Sequence, residues 1–182
     1  MEKFSKKELL DIERARNLAI LAHEGQTRDE GTPYFEHVAR VATKLSTLNL
    51  SPSIIIIGYL HDTIEDTYIT HLDLVNQFGP TVANAVEVLT KTKGINLADY
   101  LKKIVDYPDI GPSYIKIADR IDNICSLKQC PSKDKVNRYI YQTESVFLPC
   151  MMSSLYRLDS TYNSLINELK STLEEIKNFY NK

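Results

Sequence analysis

The sequence is short of the residues on which several protein classes depend. Its 182 residues contain no tryptophan, only three cysteines and only six glycines. The cysteines, Cys125, Cys130 and Cys150, are odd in number and lack C-x-x-C spacing, which argues against a disulfide framework and against a thiolate zinc site. No apolar run approaches the roughly 18 residues that a bilayer-spanning helix needs, so we expect no association with a membrane.

Positively and negatively charged residues are nearly balanced in number. The chain carries 22 Lys and Arg against 24 Asp and Glu, a formal net charge of −2. Nucleic-acid binding needs clustered cations, so we expect none, although a few local cations would suffice for a small anionic substrate. Glu8 and Asp11 interrupt any signal-peptide apolar region, which predicts a cytoplasmic location. The oligomeric state stays open, a homo-oligomer included.

Apolar periodicity predicts helices almost throughout the chain. Residues 5–8 have the pattern of a capping box, and Thr32-Pro33 and Ser51-Pro52 have that of an N-cap followed by proline at the first helical position. Four isoleucines at 54–57 also suit a buried strand. The start signal before them and the lack of another segment to pair with favour a helix.

The helical pattern after Pro131 forms two long stretches that separate near Pro149. No internal repeat or linker divides the chain. We therefore predict an all-α bundle of roughly eight to ten helices. We expect it to form a single domain that spans residues 1–182.

The most informative segment is 61–66, with the sequence HDTIED. His61 and Asp62 precede Glu65 and Asp66 by four positions, so on one continuous helix each pair would share a face, with the two pairs about 100° apart. Carboxylates are rarely buried unless they are paired or bind a metal, and an apolar run leads into this segment. The pattern predicts a divalent-cation site; a helix-end salt bridge is the alternative.

Two further residues would complete a ligand set of imidazoles and carboxylates: His37 upstream and Asp119 downstream. Nitrogen and oxygen ligands without thiolate suit Mn²⁺ and tolerate Fe²⁺, Co²⁺ or Mg²⁺. Such an ion lowers the pKa of bound water and neutralises phosphate charge. The residues alone do not fix these partners, because His37 also suits a capping or core histidine and Asp119-Arg120 a solvated ion pair.

A family resemblance narrows the interpretation. The order His37, His61-Asp62, Asp119 matches the H…HD…D signature of HD-domain metal-dependent phosphohydrolases. Residues 23–37 resemble the H-x-G-Q-x-R…G-x-P-Y-x-x-H block of RelA/SpoT-type alarmone hydrolases, and residues 61–67 are similar to their HD-x-x-ED-T motif. Since the chain offers no room for a synthetase region, it resembles the stand-alone small alarmone hydrolases. The resemblance implies an HD-domain helical bundle.

The resemblance also implies an activity and its residues. Such hydrolases remove the 3′-pyrophosphate of (p)ppGpp through a metal-activated water, giving GDP or GTP plus pyrophosphate, and typically use Mn²⁺. The implied ligands of one manganese ion are His37, His61, Asp62 and Asp119. The implied residues for activating water and transferring protons are Glu65 and Asp66. The implied substrate contacts are Arg28, Asn123 and Arg138.

Two positions depart from the family pattern. Asp29 stands where many members carry Lys, and Asp122 stands where His is usual; both changes are expected to remove positive charge near the nucleotide. Alternative substrates therefore stay open: (p)ppApp, NADPH or a nucleoside monophosphate. A nucleotide-binding module without turnover is a third hypothesis. We expect Tyr34 to pack rather than catalyse, and His23 to support the loop that carries Arg28.

Overall fold

The computed structural model describes residues 4–180, and the fold over that range is helical. Nine of its α-helices have eight residues or more. The elements are α1 (Lys6–Ala22), α2 (Tyr34–Thr47), α3 (Pro52–Leu60), α4 (Thr63–Asp66), α5 (His71–Phe78), α6 (Pro80–Leu89), α7 (Leu97–Val105), α8 (Gly111–Ser126), α9 (Lys133–Gln142), α10 (Leu148–Met152) and α11 (Ser160–Tyr180). Within the described range no strand forms, and one isolated bridge pairs Thr27 with Pro33. The prediction of an all-α bundle is confirmed.

Most helix starts follow their sequence signals. Ser5 and Glu8 form the expected capping box at α1, and Ser51 precedes Pro52 at the start of α3. The start expected at Thr32 is wrong by one residue, because Pro33 itself precedes the first residue of α2. Thr32 belongs to the preceding loop, where its carbonyl accepts from the Arg28 N–H at 2.9 Å.

Two central helices, α3 and α8, bring the residues of the site together. α8 is buried over most of its length and packs against α2 and α11, while α3 packs against α1 and α2. The isoleucines of α3 lie in the core, so the helical interpretation of residues 54–57 is confirmed. A Cβ on Gly58 would lie 2.7 Å from Leu45 Cδ1 and 3.4 Å from Ala42 Cα, so glycine permits the close approach of α3 to α2.

The C-terminal helices divide later than the sequence predicts. Residues 133–152 form one helical run in which a π-turn, Thr143–Phe147, joins α9 to α10. Pro149 sits in the first turn of α10, where its missing N–H does little harm. The separation expected near Pro149 is therefore wrong. Across residues 4–180, no helix combines the length and the apolar character required to cross a bilayer.

Candidate metal centre and adjoining cavities

The HDTIED segment, against expectation, does not continue α3. A turn separates α3 from the four-residue α4. His61 Nδ1 donates to the Gly58 carbonyl at 2.8 Å, and Thr63 Oγ1 donates to the Leu60 carbonyl at 2.7 Å. These side chains occupy carbonyls that backbone N–H groups of a longer helix would use, so they favour the turn. The prediction of one helix through both pairs is wrong.

Three of the expected ligands converge. Ligand atoms of His37, His61 and Asp62 all lie within 4.8 Å of one another. Asp62 Oδ2 is 3.2 Å from His61 Nε2 and 3.6 Å from His37 Nε2. Despite that proximity, the buried His61 Nε2 has no hydrogen-bond partner in the described part of the chain. A buried nitrogen directed at a carboxylate without a bond to it suits a shared cation.

Asp119 stands beside these three side chains rather than in solvent. Its side chain is only 7% exposed, and Oδ1 lies 3.3 Å from His37 Nε2. Asn123 Nδ2 donates to Oδ1, and Lys116 Nζ donates to Oδ2 at 2.8 Å. Burial opposes ionisation, but Lys116 and His37 hold the pKa of Asp119 well below its usual range. Asp119 is therefore a carboxylate, with one oxygen directed at the cluster.

The surroundings of His37 favour a positive charge. Burial opposes protonation of its ring, but hydrogen bonds to Asp119, Asp122 and Asp62 raise the pKa of His37 to about 10. The ring is also 5.4 Å from that of His61, centroid to centroid. The carboxylates thus stabilise a cation at this point, whether a proton or a metal ion.

The acidic pair lies next to the cluster. Glu65 Oε2 accepts from the Lys91 backbone N–H at 2.6 Å, and the Asp66 N–H donates to the Asp62 carbonyl at 2.9 Å. Burial raises the pKa of both Glu65 and Asp66. A carboxylate with a raised pKa accepts a proton more readily near neutral pH. Both groups can therefore act on a water held beside the cluster.

Tyr34 is a residue that sequence reasoning undervalued. Its hydroxyl lies 2.7 Å from Asp62 Oδ2 and 2.9 Å from Asp66 Oδ2, so it links the cluster to the acidic pair. The ring of Tyr34 also stacks on His23 at 4.8 Å. Tyr34 precedes His37 by three residues on α2, which places both on one face. That spacing from a candidate metal ligand is a sequence signal by which Tyr34 could have been predicted as a site residue.

We call the cavity that is lined by His37, Asp62, Asp119 and the acidic pair the inner cavity; its volume is about 230 Å³. Three cationic side chains also line it: Lys91, Lys116 and Arg120. Arg120 is 7% exposed and lies over the rings of Tyr139 (5.2 Å) and Phe147 (4.8 Å), with Nη1 unpaired among residues 4–180. The solvated ion pair considered for Asp119-Arg120 is therefore wrong. The inner cavity suits a substrate that carries several negative charges.

A second cavity of about 200 Å³, the outer cavity, adjoins the first. The residues lining both are Tyr34, Asn123 and Tyr139. Arg28 Nη2 donates to Asn123 Oδ1 at 2.7 Å, and Arg28 Nε lies 3.3 Å from Glu30. Two of the three expected substrate contacts thus lie together here. His23 supports the loop that carries Arg28 as expected, since its Nδ1 bonds Gln26 Oε1 at 2.8 Å.

The residues of α9 that line the cavities do not include Arg138, the substrate contact expected on this helix. Lys135 and Tyr139 line the outer cavity, whereas Arg138 is exposed and lines neither cavity. Lys135 forms an ion pair with Asp29, which lowers the pKa of that carboxyl. Asp29 is thus compensated locally rather than left as a bare negative charge. A substrate contact by Arg138 stays a prediction.

Asp122 lines neither the inner nor the outer cavity. Its Oδ2 accepts from His37 Nδ1 at 2.7 Å, and its Oδ1 accepts from Arg40 Nε at 2.7 Å. An effect of Asp122 on charge near a nucleotide stays a prediction. Its position on α8, three residues after Asp119, directs it to the opposite nitrogen of the same imidazole.

Comparison with known proteins agrees with this arrangement. The sequence profile described as HD domain matches residues 15–150. The chain belongs to the HD-domain family.

Its relatives are of the RelA/SpoT type. It is 34% identical to the GTP pyrophosphokinase rsh of Brucella melitensis over 147 residues, which are 76% of this chain and 20% of the relative. It is 33% identical to the bifunctional (p)ppGpp synthase/hydrolase SpoT of Escherichia coli, over 91% of this chain and 24% of the relative. The chain thus spans about a fifth to a quarter of the length of these curated relatives.

Solved structures show the same fold. A protein described as a metazoan ortholog of SpoT that hydrolyzes ppGpp and plays a role in starvation responses aligns with a TM-score of 0.74. The alignment has 23% identity and covers 91% of this chain and 94% of the other. The protein lmo0812 of Listeria monocytogenes aligns with a TM-score of 0.59 over 79% of this chain and 98% of the other.

Proposed function

We propose that the protein is a Mn²⁺-dependent hydrolase of the alarmone (p)ppGpp, which releases the 3′-pyrophosphate and leaves GDP or GTP. One observation carries the proposal. Three of the four expected metal ligands, the acidic pair and three cations line a single cavity that shares lining residues with a second polar one. The kinship with RelA/SpoT proteins, one of them named a (p)ppGpp synthase/hydrolase, supports the choice of nucleotide.

The ion would be held by His37, His61, Asp62 and Asp119. Two imidazoles with two carboxylates suit Mn²⁺ better than Mg²⁺, which prefers oxygen ligands and retains its waters. When bound, such an ion lowers the pKa of a coordinated water and neutralises phosphate charge. The unpaired Nε2 of His61 is the feature of the chain that best fits this assignment.

The chemical step would use the acidic pair. A water oxygen bonds to the phosphorus nearest the ribose while the bond from that phosphorus to the 3′ oxygen breaks. Glu65 accepts the proton of the water, Asp66 assists its orientation, and the 3′ oxygen leaves as a hydroxyl after gaining a proton. Tyr34, which bonds Asp62 and Asp66, would keep the acidic pair aligned with the ion.

The substrate would occupy both cavities. Its pyrophosphate would lie in the inner cavity, where Lys91, Lys116 and Arg120 would neutralise the charge of the pyrophosphoryl group as it is transferred to water. Its nucleoside would extend into the outer cavity, towards Arg28 and Asn123. Arg138 stays a predicted contact for a phosphate that reaches the surface of α9.

The domain organisation, the location and the partners are proposed from the sequence. We expect a single domain over residues 1–182 that acts on a free nucleotide in the cytoplasm, with neither nucleic acid nor membrane as partner. The oligomeric state stays open in this proposal, a homo-oligomer included.

A nucleotide panel tests the proposal. The purified chain would be incubated with Mn²⁺ and each of ppGpp, pppGpp, ppApp, NADPH and GMP, and both pyrophosphate and orthophosphate would be measured. We expect pyrophosphate from the guanosine 3′-pyrophosphates, and none when Asp62→Ala replaces the wild type. Orthophosphate from GMP or NADPH alone would establish another nucleotide as the substrate. Nucleotide binding without turnover would establish an inactive binding module.

A further inference from the structure

Two different acceptors hold the two imidazoles of the metal centre. His61 Nδ1 donates to a neutral backbone carbonyl, that of Gly58, at 2.8 Å. His37 Nδ1 instead meets the Asp122 carboxylate at 2.7 Å, and the ring is almost fully buried. An ionised carboxylate only accepts, so Nδ1 must carry the proton. Nε2 of His37 is thereby left to face Asp62 and Asp119, at 3.6 and 3.3 Å.

A cation holds Asp122 in turn. Arg40 donates from Nε to Oδ1 at 2.7 Å and from Nη2 to Oδ2 at 3.1 Å. Such a two-point contact fixes the plane of the carboxylate as well as its distance. Arg40 lies three residues after His37 on α2, and Asp122 three residues after Asp119 on α8. Each helix therefore supplies one expected metal ligand and one member of the supporting pair.

We propose that Asp122, fixed by Arg40, is a positioning residue that orients His37 towards the metal ion. The inference rests on the metal centre of the proposed function, but not on the identity of the nucleotide. A carboxylate behind a ligating histidine fixes the tautomer and strengthens the imidazole as a ligand, and its loss typically weakens metal binding 10- to 100-fold.

The test measures Mn²⁺ affinity without any nucleotide. Free Mn²⁺ would be followed by electron paramagnetic resonance during titration of wild type, Asp122→Asn, Arg40→Gln and a matched control, Asp106→Asn. Asp106 pairs with Lys102 on the exposed end of α7 and lines neither the inner nor the outer cavity. We expect the dissociation constant to rise about 10- to 100-fold for Asp122→Asn, about threefold or more for Arg40→Gln, and not at all for Asp106→Asn.

The Arg40 variant keeps the proposal testable if Asp122→Asn does not fold. Arg40 is 45% exposed, so its replacement should leave the helical circular dichroism signal intact. Dissociation constants of Asp122→Asn and Arg40→Gln within twofold of the wild type would overturn the proposal. Failure of the nucleotide assignment is a separate result, since it would appear as Mn²⁺ binding without pyrophosphate release from ppGpp.

Discussion

The inner and outer cavities meet at Tyr34, Asn123 and Tyr139, yet their walls are built differently. In the inner cavity, His37, Asp119 and Arg120 are buried, and Lys116 donates to Asp119 at 2.8 Å, although Glu65, Asp66 and Lys91 are exposed. In the outer cavity, the Asp29–Lys135 ion pair is a third to a half exposed.

This difference separates two properties of the site. A buried charge without a partner is costly, so the inner groups hold one another in place before any substrate arrives. Exposed ion pairs contribute little and exchange partners readily. We therefore expect the inner cavity to determine the chemical step and the outer cavity to determine which nucleotide is accepted.

The largest expected effect is the loss of an inner-cavity carboxylate. Asp62→Ala or Asp119→Ala should abolish Mn²⁺ occupancy and lower hydrolysis by at least about 10³-fold, since removal of a mere supporting partner already costs 10- to 100-fold. Manganese retained after gel filtration and pyrophosphate release would both be measured, with Asp106→Ala as the control. Normal manganese content in Asp119→Ala would remove that residue from the ligand set.

The second-largest effect is expected from a substitution in the inner cavity that slows the chemical step without weakening metal binding. Glu65→Gln keeps an oxygen that can accept from the Lys91 N–H but loses the ability to take a proton from water. Hydrolysis should fall by on the order of 10²- to 10⁴-fold, with the Mn²⁺ dissociation constant unchanged. Turnover at the wild-type rate would show that the acidic pair has another role.

The smallest effects are expected in the outer cavity. Lys135→Met should raise KM for ppGpp by about three- to tenfold with little change in kcat, because it removes one partly exposed cation. Asp29→Asn, which leaves Lys135 without its carboxylate, should lower KM. Arg138→Met is the matched control on the same helix. If Arg138→Met raises KM more than Lys135→Met does, Arg138 rather than Lys135 is the substrate contact on this helix, as the sequence predicted.

Residue motifs made much of the metal centre predictable. His61 and Asp62 were noticed because ionisable residues directly after an apolar run are unusual, whereas only the family resemblance implied His37 and Asp119 as their partners. Their convergence needed no exact boundaries, so the wrong expectation of a continuous helix through residue 61 did little harm. Asp122 shows the opposite case. Its identity was noticed, but its contact with His37 was not predicted.

The sequence by itself determined the helical class and most helix starts, because capping, proline placement and apolar periodicity act over a few neighbouring positions. Only the tertiary structure decided which groups meet across helices: Tyr34 with the two carboxylates, Asp122 with His37, and Lys135 with Asp29. These contacts join residues 28 to 106 positions apart. Their geometry depends on how α2, α8 and α9 pack, which no local pattern encodes.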